Sequence, residues 1–259
     1  MNFVDTHAHL QMKHFENDRE EIIKNFENAG IFFVINVGTN IEDSIISVDF
    51  SRKYNKIFSS IGIHPHDSKN VPENYLEKLE ELSKNDKVVA IGEIGLDYYR
   101  NFSPKEIQQK VFTEQLLLAK ELQLPVIIHI RDAYEDAYSI LESFGPFEKG
   151  GVIHSFSADS EWALKFVKLG FYLGIGGPIT YKKNKILREV VRMVGEDNIL
   201  TETDCPYLPP QPFRGKRNEP AYVKYVVEAI NDIIGYDVSE ILIKNAVELF
   251  EVNLWYTLF

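Results

Sequence analysis

The chain has 259 residues, of which 44% are hydrophobic and 26% charged, a composition typical of a soluble globular protein that buries a sizeable core. Its 39 acidic residues outnumber 28 basic ones, and the net charge of −11 argues against a protein that depends on non-specific binding to polyanions. An enzyme that binds phosphates through metal ions and a local basic patch is still compatible with this charge. The single cysteine, Cys205, excludes an internal disulfide and structural metal motifs built on cysteine pairs.

No apolar run reaches the length of a membrane span. The candidate metal motif described below begins at Asp5, so removal of an N-terminal signal peptide would remove the site itself. We therefore expect a cytoplasmic protein with no membrane attachment, and nothing in the sequence indicates an obligate protein partner.

Short apolar runs alternate with longer amphipathic segments along the chain. The apolar runs predict strands that begin near Phe3, Ile31, Ile57, Val88, Val126, Gly151, Phe171 and Ile199. The amphipathic segments predict helices at 18–29, 41–54, 73–84, 104–122, 133–143, 160–168, 185–194, 220–234 and 239–250. For the helix that starts at Pro104, Ser103 is the expected N-cap.

Eight strand-then-helix units predict a parallel sheet, since runs such as 126–128 are apolar on both faces. A doubly wound sheet is the alternative architecture. Polar side chains at the end of nearly every strand favour closure into a (β/α)₈ TIM barrel, an α/β fold. Without a linker, repeat or low-complexity segment, residues 1–259 are expected to form a single domain.

The first strand ends in Asp5-Thr6-His7-Ala8-His9, in which alternate side chains share one face. Two imidazoles that converge from the end of a buried strand suit a divalent transition metal. Further candidates follow other strands, and they are His64, His66, Glu93, His129, His154, Glu202 and Asp204. The second strand ends in Asn36 and Gly38 and the seventh in the glycine-rich segment 174–177, and these two ends are expected to leave space for substrate.

Any one of these residues also has a structural explanation, such as a core histidine bonded to backbone, but their shared location favours a site. Six of them form a mixed nitrogen and oxygen ligand set, namely His7, His9, Glu93, His129, His154 and Asp204. Six ligands exceed one tetrahedral site and predict two adjacent divalent ions, with Glu93 as the bridge. Mg²⁺, Mn²⁺, Zn²⁺, Co²⁺ and Ni²⁺ are not distinguished. Glu93 and Asp204 are the predicted catalytic residues, with Asp204 as the acceptor of the proton from the attacking water.

Seven motifs closely resemble the TatD family of metal-dependent deoxyribonucleases, within the amidohydrolase-like barrels. They are DTHAHL (5–10), IGIHPH (61–66), AIGEIGLDYY (90–99), PVIIHIRDA (125–133), GGVIHSFS (150–157), LTETDCPYLPP (200–210) and RGKRNEP (214–220). The resemblance implies a (β/α)₈ barrel that hydrolyses DNA phosphodiesters with divalent metals, as an endonuclease or a 3′–5′ exonuclease. It also implies that the same six residues are the metal ligands. Ser155 stands where many members have cysteine, but His154 is retained.

Two other functions are compatible with a metal-binding barrel. A binuclear barrel can hydrolyse C–N or C–O bonds of a small cyclic substrate, often with a carbamylated lysine as bridge. Glu93 at the strand-four position, with no lysine at a strand end, favours the phosphoesterase branch. A non-catalytic metal-binding module is disfavoured because the full ligand set is present.

Substrate contacts are predicted from local signals. The basic loop 214–218 follows the strand that carries Asp204, so Arg214, Arg217 and Asn218 are expected to bind phosphate of a DNA substrate. His64 is expected to reach a bound phosphate, and His66 to shape its loop. Glu202 is placed with the substrate-binding residues and is the next candidate for the base. Tyr98 and Tyr99 are candidates to stack on a base, or else to cap the barrel core.

Overall fold

The computed structural model describes residues 2–252. Within that range eight parallel strands pair in sequence order from the first to the eighth. They are β1 Phe3–Ala8, β2 Ile31–Val37, β3 Ile57–Ile61, β4 Val88–Asp97, β5 Val126–Arg131, β6 Gly151–Ile153, β7 Phe171–Ile175 and β8 Ile199–Thr201.

The sheet closes where β1 meets the segment after β8. Ala8 and Cys205 form a parallel bridge. The backbone N–H of His9 donates to the carbonyl of Cys205, and the N–H of Asp204 donates to the carbonyl of His7. The predicted (β/α)₈ TIM barrel is therefore confirmed, and the doubly wound alternative is wrong.

The strands alternate with helices, and a ninth helix follows the eighth in the described part of the chain. They are α1 Arg19–Lys24, α2 Ile41–Lys53, α3 Tyr75–Ser83, α4 Lys105–Leu122, α5 Tyr134–Ser143, α6 Ser160–Lys168, α7 Lys185–Val194, α8 Val223–Ile234 and α9 Ser239–Phe250. The predicted first helix was too long, since the chain turns after Lys24. Among the helices of residues 2–252, none combines the length and the hydrophobicity that a membrane span needs.

Ser103 is not the N-cap of α4, contrary to the sequence prediction. Pro104 occupies that position. The Ser103 hydroxyl instead donates to the carbonyl of His66 and accepts from the N–H of Lys69. It therefore joins the start of α4 to the loop after β3, at the end of the barrel where the candidate site lies.

Alternate strand residues supply two apolar layers. Phe33, Phe58 and Val152 belong to a cluster that also includes Leu249 and Phe250 of α9. The neighbouring positions, such as Val34 and Ile57, pack in the larger cluster with the surrounding helices. Full burial of such side chains contributes about 1.5–3 kcal/mol each to folding. The barrel wall is thus packed on both faces, which gives the strand ends fixed positions.

Candidate metal centre

A cleft of about 680 Å³ opens at the carboxyl ends of the strands. Its lining residues are His9, Met12, Thr39, His64, His66, Asp67, Glu93, Asp97, Arg100, Phe102, His129, Arg131, His154, Asp204, Tyr207 and Leu208. Five of the six predicted metal ligands are in this lining, and the sixth, His7, is buried directly beside His9. The structure therefore brings the whole predicted ligand set together.

His7 and His9 point the same way from the end of β1, as their spacing predicts. Their Nε2 atoms lie 3.1 Å apart. Asp5 has a different task, because its carboxylate accepts hydrogen bonds from the backbone N–H groups of His7 and Thr203 and from the Thr203 hydroxyl. Burial raises the pKa of Asp5 to about 7, against the lowering effect of these hydrogen bonds. Asp5 therefore joins β1 to the segment after β8.

The outer nitrogens of two histidines each lie close to an oxygen atom. His9 Nδ1 lies 2.9 Å from the carbonyl oxygen of Val37, so this nitrogen carries the proton of the neutral ring. His154 Nδ1 lies 3.0 Å from Glu202 Oε1. In both rings Nε2 is then left to offer its lone pair towards the cleft. Such outer partners commonly orient metal-binding histidines.

Glu93 occupies the centre of the cluster. Its Oε2 lies 3.4 Å from His7 Nε2 and 3.7 Å from His9 Nε2. Its Oε1 lies 2.9 Å from His129 Nδ1 and 3.5 Å from His64 Nε2. Burial opposes ionisation, but the surrounding histidines, with His64 and His7 foremost, hold the pKa of Glu93 well below its ordinary value. A carboxylate in this position faces nitrogen donors from both sides.

Asp204 reaches the same cluster from the segment after β8. Its Oδ1 lies 3.5 Å from His9 Nε2 and 3.9 Å from His154 Nε2. Burial opposes ionisation here too, but hydrogen bonding to His9 and the charges of the neighbouring histidines lower the pKa of Asp204. Its backbone has φ of +57°, a left-handed conformation that aspartate tolerates better than most residues. This turn directs the carboxylate back into the cleft.

The donor atoms form three groups, two of which share His7, and within each group the ligand atoms lie no more than 4.8 Å apart. The groups are His7, His9 and Asp204; His7, His154 and Glu202; and His64, Glu93 and His129. Several imidazole lone pairs and carboxylates that converge in a buried place repel one another unless a cation lies between them. The buried Nδ1 of His7 also lacks a hydrogen-bond partner among residues 2–252. The residues present therefore fit divalent metal ions.

Glu202 was expected to contact substrate, and the structure corrects this expectation. Its side chain is fully buried, where Oε1 contacts His154 Nδ1 and accepts from the N–H of Ser155 at 2.7 Å. Gly174 of β7 makes room for it, since a Cβ there would lie 2.4 Å from Glu202 Oε2. A Cβ at Gly177 would lie 2.1 Å from the carbonyl oxygen of Leu208. The glycine-rich end of β7 therefore accommodates protein atoms rather than substrate.

The basic loop 214–218 also differs from expectation. Arg217 holds the carboxylate of Asp18 through two hydrogen bonds of 2.8 and 2.6 Å and donates to the carbonyl of His14. Asn218 is buried, where its amide donates to the carbonyls of Thr203 and Tyr207. Both side chains use their donor groups in hydrogen bonds within the protein that fix the segment after β8. The structure therefore does not support them as phosphate contacts.

Arg214, the remaining predicted contact in that loop, lies outside the metal cleft. Its guanidinium is 4.6 Å from the centre of the Tyr181 ring and faces a neighbouring depression.

Two tyrosines after Glu93 were candidates to stack on a nucleic-acid base. Tyr98 donates its hydroxyl to Asp136 and is partly buried, so its ring is engaged within the protein. Tyr99 is exposed, with Arg131 3.9 Å from its ring centre.

Sequence reasoning missed Asp97 and two arginines. Asp97 Oδ2 lies 2.9 Å from His66 Nε2 and 3.2 Å from His129 Nε2. Burial opposes ionisation, but these histidines hold the pKa of Asp97 well below its ordinary value. Arg100 and Arg131 bring positive charge to the cleft. Asp97 and Arg131 are the last residues of β4 and β5. The rule that identified His129, a polar residue at the end of an apolar strand, therefore applies to them as well.

The sequence matches the family of TatD-related DNases over residues 4–251. The chain belongs to this family. The uncharacterized metal-dependent hydrolase YabD of Bacillus subtilis is 44% identical over 252 residues, which cover 96% of this chain and 99% of YabD. The 3′–5′ ssDNA/RNA exonuclease TatD of Shigella flexneri is 35% identical and covers 91% of this chain and 92% of its own length.

A solved TatD-family structure has the same barrel. YJJV, a TatD homologue from Escherichia coli K12, superposes with a TM-score of 0.91 at 31% identity, over 97% of this chain and 98% of its own. The fold and the family thus agree with the resemblance that the seven motifs indicated.

Proposed function

We propose that this TatD-family protein is a metal-dependent hydrolase that cleaves phosphodiester bonds in single-stranded DNA, from the 3′ end. The observation that carries this proposal is the convergence of His7, His9, Glu93 and Asp204 on one buried point beside two arginines. The name of the Shigella relative supports the choice of substrate and polarity. We further propose one domain over residues 1–259 and a cytoplasmic location.

The six predicted ligands would hold two divalent ions. His7, His9 and Asp204 would form one ligand group, Glu93 and His129 would belong to a second with His64, and His154 is grouped with His7. Divalent ions bound there supply Lewis acidity, which polarises a phosphoryl oxygen and makes water more acidic. The rest of the reaction is assigned to side chains of this chain.

Asp204 is proposed to accept the proton of the attacking water. It is less enclosed than the ligands behind it, with 15% of its side chain exposed against 5% for Glu93. Its lowered pKa keeps it ionised at neutral pH, and only the ionised carboxylate can accept a proton. Glu93 is more enclosed and lies among five histidines, which suits it to hold and orient rather than to exchange protons.

Arg100 and Arg131 are proposed to hold the phosphate groups on either side of the scissile bond. Arginine binds phosphate oxygens with two parallel hydrogen bonds. Tyr99 and Phe102 lie exposed next to them and offer faces on which bases can stack. His64, whose Nε2 faces Glu93, would contact the phosphate at the centre. These contacts replace those that the sequence assigned to Arg217 and Asn218.

The test is a substrate comparison with metal-loaded protein. A 5′-fluorescent single-stranded 20-mer, the same strand in a duplex, a dihydropyrimidine panel and a lactone panel are assayed with and without chelator. We expect shortening of the single strand from its 3′ end, abolished by chelator. Chelator-sensitive turnover of a cyclic amide or a lactone, without action on the oligonucleotide, would establish the C–N or C–O hydrolase instead.

A further inference from the structure

Positive charge is concentrated on one surface of this acidic protein. Five of the eleven residues from 182 to 192 are lysine or arginine, and Glu189 is the single acid among them. Arg214 joins this surface from the loop after β8. We call it the basic face, and its members are Lys182, Lys183, Lys185, Arg188, Arg192 and Arg214.

Three cations of the basic face stand on α7, at positions where their charges do not favour the helix. Lys185, Arg188 and Arg192 follow the spacing i, i+3, i+7 and so share one side of α7. Like charges at this spacing repel, and a cation in the first turn opposes the helix dipole. No acid occupies that first turn. No residue between 2 and 252 forms an ion pair with any member of the basic face. The charge is thus left available to an external anion.

The basic face has a concave shape. One depression of about 630 Å³ is lined by Tyr181, Lys182, Lys183, Asn184, Gln211 and Arg214. A second of about 590 Å³ is lined by Lys182, Lys185, Arg188, Glu189 and Arg192. Because Lys182 lines both, the two depressions adjoin. The Nε of Arg188 is buried and has no hydrogen-bond partner within the described range.

The basic face continues from the metal cleft along one loop. The segment that brings Asp204 and Leu208 to the cleft also brings Gln211 and Arg214 to the first depression. The loop is fixed there, since the Tyr181 hydroxyl donates to the carbonyl of Pro209 at 2.7 Å. A strand with one phosphodiester in the cleft can therefore extend over this loop onto the basic face.

We propose that the basic face binds backbone phosphates of the single-stranded nucleic acid outside the cleft, an inference that rests on the proposed function. The net charge of −11 gives no general attraction for a polyanion, so a long strand needs a local cationic surface beyond Arg100 and Arg131. The contacts are sequence-independent and increase with strand length.

The test is a charge-reversal variant, Lys182→Glu/Lys185→Glu/Arg192→Glu, which changes three exposed side chains and leaves the half-buried Arg188 in place. The matched control is Lys24→Glu/Lys78→Glu/Lys168→Glu, three exposed lysines on α1, α3 and α6. Both variants lower the net charge equally. Binding of a fluorescent single-stranded 20-mer is measured by anisotropy in chelator, at several salt concentrations, and thermal unfolding verifies that each variant is folded.

We expect the basic-face variant to weaken 20-mer binding by about tenfold or more and to reduce the salt slope by about 2, at roughly 0.7 for each lost phosphate contact on a single strand. The control should keep most of the wild-type affinity, and both variants should hydrolyse a dinucleotide like wild type. Equal weakening of 20-mer binding by both variants would overturn the proposal. Unchanged 20-mer binding by the basic-face variant, together with loss of its binding to phosphatidylserine vesicles, would overturn it as well. Because binding is measured without turnover, failure of the nuclease proposal would show separately, as absence of hydrolysis in the wild type.

Discussion

Glu202 Oε1 lies 3.0 Å from His154 Nδ1, and both side chains are buried. The carboxylate thereby fixes the ring so that Nε2 faces Glu93 and Asp204 at 3.8 and 3.9 Å. Glu202 therefore acts on the candidate metal centre through His154, and substrate has no direct access to it.

The first prediction concerns this relationship. Glu202→Gln keeps the shape of the side chain but removes the negative charge that makes His154 a stronger donor. We expect metal affinity, measured by calorimetric titration, to fall by about tenfold or more, within the range usual for outer partners of metal ligands. Thermal unfolding should change little. A raised KM for oligonucleotide with unchanged metal affinity would instead return Glu202 to the substrate-binding role that the sequence predicted.

Gly174→Ala is a second test of the contact between Glu202 and His154. The added Cβ would lie 2.4 Å from Glu202 Oε2, so Glu202 must move and its contact with His154 must change. We expect weaker metal binding together with a loss of stability of about 1–3 kcal/mol, typical of overpacking a core. Gly176→Ala is the control for alanine at a glycine, because its φ of −113° accepts a side chain and the added Cβ would come no closer than 3.6 Å to Glu202. Metal affinity unchanged in Gly174→Ala would show that this contact is dispensable.

Asp204→Asn tests the proposed proton acceptor. Asparagine keeps the size of the side chain but cannot take the proton of the attacking water. We expect kcat at saturating metal to fall by at least about 10²-fold while circular dichroism retains the signal of the folded barrel. A near-normal kcat would assign the base to another group.

Arg131→Ala and Arg217→Ala separate a substrate contact from a structural one. We expect Arg131→Ala to raise KM for the oligonucleotide, because one phosphate contact is lost. Arg217→Ala should leave KM nearly unchanged and lower stability by about 1 kcal/mol, since Arg217 pairs with the partly exposed Asp18. An increase of KM in Arg217→Ala alone would restore the prediction made from the sequence.

The Arg217 effect also has a defined pH dependence. Pairing with Arg217 lowers the pKa of Asp18 below its ordinary 3.8. A carboxyl group with a lowered folded-state pKa stabilises the protein above its ordinary pKa and loses this effect as the pH falls. The difference in Tm between wild type and Arg217→Ala should therefore be present at pH 6 and shrink below about pH 4. The Arg217 guanidinium also lies over the Phe15 ring, 4.7 Å from its centre, and a constant difference in Tm would attribute the loss to this packing instead.

The sequence carried the fold and the metal ligands because their signals are local. Each strand is a short apolar run, and each candidate ligand follows such a run, so the barrel itself assembles them. Arg217 was misread because its partner Asp18 is 199 positions away and invisible to a local count of charge. The space around Gly174 was assigned to substrate because only the closed barrel reveals Glu202 there. Five of the six members of the basic face stand in the single segment 182–192, but only the closed barrel shows that this segment adjoins Arg214 and the loop from the metal cleft.

The most direct test of the central claim is a titration of metal-depleted protein with Mn²⁺, in which bound metal and hydrolysis of the single-stranded 20-mer are measured on the same samples. The account predicts no hydrolysis in protein shown by elemental analysis to be metal-free, and activity that rises in parallel with occupancy. Full hydrolysis by the metal-free protein would contradict it.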